Sequence, residues 1–99
     1  MAISTIKVPL AGNNVGTSSS SFSAIVEGYM GSALDRINTN IASYSSGIHE
    51  VSSGGGPVFT AVLGKYSDTY YSGLMFYYSS NICYLFRRNG TAYSIYRIS

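Results

Sequence analysis

The dipeptide Asn89-Gly90, inside the stretch "NICYLFRRNGTAYSIYRIS", constrains this chain more than any other feature. A type I′ turn needs positive φ at both central residues, which Asn-Gly supplies, so two antiparallel strands are expected to meet there. A loop at 89–90 would pair Arg88 with Thr91, Phe86 with Tyr93, Tyr84 with Ile95 and Ile82 with Arg97. Side chains alternate along a strand, so Ile82, Tyr84, Phe86, Tyr93 and Ile95 share one face. Cys83, Leu85, Arg87, Ala92, Ser94 and Tyr96 take the other, a face that is half apolar and need not be open to water.

Upstream of this hairpin, "SGIHEV" at 46–51, "PVFTAVLGKY" at 57–66 and "YYSGLMFYY" at 70–78 read as three further strands. Residues 47–99 are therefore expected to form an antiparallel β-domain. "SSGGGP" at 52–57 lacks the Lys-Ser/Thr ending and the following helix of a phosphate cradle, and reads as a loop. Between 22 and 46 the period changes. Met30, Leu34, Ile37, Ile41 and Tyr44 step by four, three, four and three, as one face of a helix does. Ser23, or Ser20 or Ser21, would cap its start and Gly47 would stop it. Gly28 and Gly31 weaken its first turns by about 1 kcal/mol each relative to Ala, so the helix needs a surface to pack on. That surface is either the β-region of its own chain or other copies. In the second case the five apolar residues are the oligomer interface, and Leu34, Ile37 and Ile41 flanked by Asn38 and Asn40 suit a short trimeric coiled coil. Residues 1–21 read as an extended attachment segment. Ile6, Val8 and Leu10 alternate as a short strand would, and "AGNNVGTSSSS" at 11–21 has the composition of a flexible linker.

Ninety-nine residues make one domain, and its β-part of about fifty residues is marginal alone. A single cysteine, Cys83, excludes an intramolecular disulfide and a thiolate metal cluster, which leaves oligomerisation as the expected support. Charged residues are 10% of the chain against the roughly 25% usual in soluble domains, and Ser, Gly, Asn and ten Tyr stand in their place. The formal charge of +2, spread over scattered basic residues, is too small for a nucleic-acid footprint. "MAISTIKVPL" lacks the basic and apolar regions of a secretory leader, and no run of eighteen apolar residues would insert in a membrane. A soluble product made in the cytoplasm is expected.

Candidate chemistry is sparse. His49 and Glu50 adjoin, with Asp35 and Asp68 far off in sequence, and no serine sits in a nucleophile elbow. A small hydrolase would have to rest on His49 or Glu50, but nothing specifies a catalytic geometry, and no catalytic, cofactor-binding or metal-binding residue is expected. The sequon at Asn89-Gly90-Thr91 is explained by the turn. Tyrosines on strands and strand ends are the remaining constellation. Most are good half-buried strand residues, whereas Tyr70, Tyr77, Arg87 and Tyr96 are candidates for ligand or surface contact.

An attachment peptide, a polar linker, a brief helix and a Tyr-rich β-domain together resemble the layout of bacteriophage fibre-type virion proteins. "NICYLFRRNGTAYSIYRIS" is similar to the ending of tail-fibre knobs, with its strand, Gly-containing turn and last aromatic strand, and "SGIHEVSSG" to the strand and loop that open them. The chain has no Trp, where such endings commonly carry one near the positions of Tyr93 and Tyr96. The resemblance implies a non-enzymatic homotrimer located in the virion, as a head fibre, capsid decoration or small tail knob. It also implies docking to capsid or tail proteins through residues 1–21, and contact between the knob and a host-surface glycan. The expected fold is mainly β: an N-terminal extended arm, one short helix, then a small antiparallel β-sandwich or β-knob, in a trimer. The alternative is a carbohydrate-binding or adhesin module that uses a Tyr-rich strand face.

Overall fold

The structure, a computed structural model, describes residues 14–98. The short strand expected at 6–10 lies outside them. The elements are β1 (Asn14–Ser18), α1 (Tyr29–Thr39), one 3-10 turn (Ile41–Ser43), β2 (Gly47–Ser52), β3 (Val58–Ser67), β4 (Tyr70–Phe76), β5 (Cys83–Asn89) and β6 (Ala92–Arg97). All six strands lie in one antiparallel sheet of order β1-β6-β5-β4-β3-β2. The mainly β architecture with one short helix is as expected. Among the described residues the layer against the sheet is the helix, so no sandwich of two sheets forms within the chain.

The alternation in β3 shows how the layers arise: Phe59, Ala61 and Leu63 are buried, while Val58 and Val62 between them are exposed. In register with the buried set are Val51 on β2 and Met75 on β4. Phe86 and Ile95, directly opposed on β5 and β6, continue it across the sheet. Leu34 and Ile37 of α1, with Ala33 and Ile41, close this face. Met30 and Tyr44 pack on its margin, half-buried. The spacing therefore identifies one face correctly, but its occupant is the chain's own sheet. Leu34 is 0% and Ile37 1% exposed within a single chain, so neither is available to a stalk between copies.

Three expectations about this region need correction. The helix expected over 22–46 is confined to α1, and its first residue follows Gly28 with no side-chain cap. Residues 22–26 instead form a turn, in which the N–H groups of Ile25 and Val26 donate to the Phe22 carbonyl. Asp35 Oδ1 accepts from the N–H groups of Phe22 and Ser23 at 3.1 and 3.3 Å, which anchors that turn to the helix. Gly31, which propensity alone marks as a weakness, is needed: a Cβ there would collide with the Val26 carbonyl oxygen. Finally, Gly47 opens β2 rather than stopping the helix. The C-terminal side of the helical segment is held by Lys65, whose Nζ donates to the carbonyls of Ile41 (2.8 Å) and Tyr44 (3.1 Å) and pairs with Asp68 at 2.9 Å.

The linker expected at 11–21 is also corrected. Residues 14–18 form β1, with Gly16 opposite Ile95 and Ser18 opposite Tyr93. A ladder is made by main-chain groups, and the otherwise free edge of β6 supplies the template, so small polar side chains do not prevent pairing. The last hairpin exists where expected but two residues out of register. Asn89 faces Ala92, Arg88 faces Tyr93, Phe86 faces Ile95 and Tyr84 faces Arg97. The loop is Gly90-Thr91, with φ of 67° at Gly90 and no positive φ at any described non-glycine residue. Glycine at the first central position is the type II′ requirement, which releases Asn89 to pair with Tyr70 on β4. A slip of two preserves which side chains share a face.

Candidate functional site

His49 and Glu50 lie side by side on β2 and point to opposite faces of the sheet. The His49 ring stands edge-on to Tyr44, and its Nε2 lies 2.7 Å from the Ser45 carbonyl oxygen, which can only accept. Asp68 is engaged by Lys65, and Asp35 by the Phe22 turn. The structure does not assemble these groups into one site. No group of three or more His, Cys, Asp or Glu capable of holding a metal occurs among the described residues, and no helix among them is long and apolar enough to cross a membrane. Cys83 is half-buried on β5, and burial pushes its thiol pKa up, away from the reactive thiolate.

Two surfaces remain, both on the sheet face away from the helix. The first is a straight row. Ile48 pairs with Val62, Val62 with Leu74, Leu74 with Leu85 and Leu85 with Tyr96, one residue from each of β2 to β6. At about 4.8 Å per strand the row runs roughly 19 Å. Ile48 is 75% exposed and Val62 37%, while Leu74, Leu85 and Tyr96 are half-covered by neighbours. Among the described strand residues on this face only Glu50 and Arg87 carry charge, and their signs are opposite.

The second surface is an open cleft of about 390 Å³ toward the β3–β4 and β5–β6 turns, lined by Gly64, Tyr66, Tyr70, Tyr71, Ser72, Arg87, Arg88 and Asn89. A register shift between Lys65 and Ser67 leaves Tyr66 without a ladder partner, and its side chain stands 91% exposed. Tyr70 and Arg87, both expected as contact residues, are brought together here. Tyr96 lies under Arg87, whose Cζ is 5.9 Å from the ring centroid. Tyr77 is elsewhere, packed on Phe59 beyond the end of β4. Sequence reasoning placed Tyr66 among the strand tyrosines without singling it out, and missed Asn89 and Gly64; the bulge that turns Tyr66 out has no local signal stronger than the glycine two residues before it.

Behind the cleft, on the helix side, Asn38 of α1 ties the helix to three strands. Its Oδ1 accepts from Tyr71 Oη (2.6 Å) and Arg88 Nη1 (2.8 Å), and its Nδ2 donates to Tyr93 Oη (3.2 Å). Arg88 stacks over Tyr93 at 5.0 Å and donates from Nε to the Gly90 carbonyl. Burial raises the Tyr71 phenol far above its ordinary 10.0, outweighing the opposing pull of Arg88. A neutral form favoured by folding stabilises the protein fully below the unfolded pKa, and this contribution is lost as pH rises beyond it. Stability should therefore fall above about pH 10. The fall should be shallower in Tyr71→Phe, which denaturant midpoints measured across that range would show.

Comparison with protein-family models, with curated proteins and with solved structures finds no match for this chain.

Proposed function

We propose that the chain is a non-enzymatic structural subunit that works as a homo-oligomer, with the open face of its sheet as the contact between copies. The observation that carries this reading is the apolar row Ile48, Val62, Leu74, Leu85 and Tyr96, composed like a core but uncovered among the described residues. Its occupant is a second copy of the same face. The row itself carries no charge, so it can meet itself without like-charge repulsion, and two such sheets pack about 10 Å apart with their rows interleaved. The sandwich expected within one chain is then made between chains. Three sheets whose open faces turn inward would likewise build the homotrimer of a fibre-type virion protein, with α1 of each copy on the outside. The fibre-like layout of the sequence supports that setting, as head fibre, capsid decoration or tail knob. An arm that docks to capsid or tail proteins would be the part preceding Asn14, because residues 14–18 belong to the sheet.

Sedimentation velocity at micromolar concentration tests this. The expected particle has twice the 10.6 kDa chain mass where two open faces meet and three times that mass where three turn inward. Leu74→Lys, which sets a charge at the middle of the row on a half-exposed position, should yield folded monomers. A wild-type chain that sediments as a monomer would rule the reading out.

A further inference from the structure

We infer that the cleft between the β3–β4 and β5–β6 turns is a binding site for an acidic saccharide. The inference goes beyond the proposed assembly and does not depend on it. The Ser72–Arg87 pair lies two residues along the strands from the Leu74–Leu85 pair of the row, and the cleft opens away from the row toward the turns.

Its floor is shallowly filled strand. Gly64 and Ser72 face each other across β3 and β4, and a Cβ added at Gly64 would meet only the Ser72 carbonyl oxygen, at 3.7 Å. The fold does not demand glycine there, and its absence of side chain provides the depth. Tyr66 and Tyr70, 91% and 47% exposed, supply aromatic walls with hydroxyls at their tips. From β5, Arg87 is held by the Tyr96 ring and has no hydrogen-bond or ion-pair partner among the described residues, so its guanidinium donors are open to a ligand. Arg88 adds positive charge, with its Nε and Nη1 engaged by the Gly90 carbonyl and Asn38, and among the described residues no acidic side chain lines the cleft. A volume of about 390 Å³ is that of a small-ligand site.

These groups select a ligand class. A pyranose lays its C–H face on a tyrosine ring and offers hydroxyls to Asn89 and the phenols, while a carboxylate takes a bidentate pair from the guanidinium. Free phosphate would use the arginine and leave both aromatic walls idle. Single-stranded nucleic acid would stack on the tyrosines but needs a groove of several cations along its backbone, and here one guanidinium is open.

The test is titration of the full-length protein, followed by amide NMR shifts, with a galacturonic acid trisaccharide, the galactose trisaccharide of the same linkage, and an oligothymidylate. The acidic sugar should saturate and shift the amides of Gly64, Tyr70 and Arg87, the neutral one should bind about tenfold more weakly, and salt should reduce the difference. Arg87→Gln, which removes the charge-assisted pair, and Gly64→Val, which fills the floor with a good strand residue, should each weaken binding about tenfold or more without lowering the melting temperature. Tyr78→Ala, in the loop after β4, should bind as wild type. Absence of saturable binding by the acidic sugar would overturn the inference, as would equal binding of the neutral sugar, tighter binding of the oligothymidylate, or unchanged affinity in both cleft variants. The sedimentation result is read separately, so failure of either idea leaves the other intact.

Discussion

Phe22→Ala should destabilise the protein by about 3–5 kcal/mol, the usual cost of deleting a fully buried aromatic side chain. Phe22 is 0% exposed, although it lies in a turn rather than in an element. Its ring meets Tyr93 edge-on at 5.0 Å and Phe86 at 5.8 Å, with Tyr71 at 6.4 Å, so it joins β4, β5 and β6 beneath the segment that leads into the helix. The two N–H bonds to Asp35 that hold the turn resist collapse of its main chain into the hole. Against a total stability of about 5–15 kcal/mol for a domain of this size, such a loss is a large part of the whole. The midpoint of urea unfolding should move far down at unchanged slope. A loss below about 1 kcal/mol would mean that the turn at 22–26 does not close the core.

Asn38→Ala should cost about 3 kcal/mol, more than its half-exposed position on a short helix suggests. One side chain serves three partners, and its removal leaves the Tyr71 hydroxyl without an acceptor, the Tyr93 hydroxyl without a donor, and Arg88 short of one bond. Stranded buried groups cost more than the bonds themselves contribute. Asn38→Asp separates this account from simple loss of packing. The carboxylate keeps both accepted bonds and faces a guanidinium, giving up only the donation to Tyr93, so its loss at neutral pH should be under about 1 kcal/mol. Equal losses in the two variants, measured by denaturant unfolding, would show that the network is not what holds α1 to the sheet.

Strand and helix alternation were legible because each is a local periodicity that burial enforces. Leu34, Ile37 and Ile41 announce one face of a helix by spacing alone, and Phe86 and Ile95 announce one face of a hairpin. The site was half legible. Tyr70 and Arg87 could be singled out as a tyrosine and an arginine on strands, but their meeting depends on β4 pairing with β5 in one register. Tyr66 turns outward only because a bulge interrupts the β3 ladder.

The sequence by itself determined the period of each segment, the existence of the last hairpin, and the two faces of its strands, since a slip of two residues leaves alternation unchanged. Tertiary structure decided the rest. It drew a Ser/Gly-rich stretch into the sheet as β1 because an open edge on β6 offered main-chain partners. It moved the turn from Asn89-Gly90 to Gly90-Thr91, where one glycine with positive φ suffices. It assigned the helix to its own sheet, through Asn38 and the buried Leu34 and Ile37, and so left the opposite face, with its apolar row, without a covering layer among the described residues. Spacing reports that a face must be buried; only the three-dimensional arrangement of all the faces decides which surface buries it.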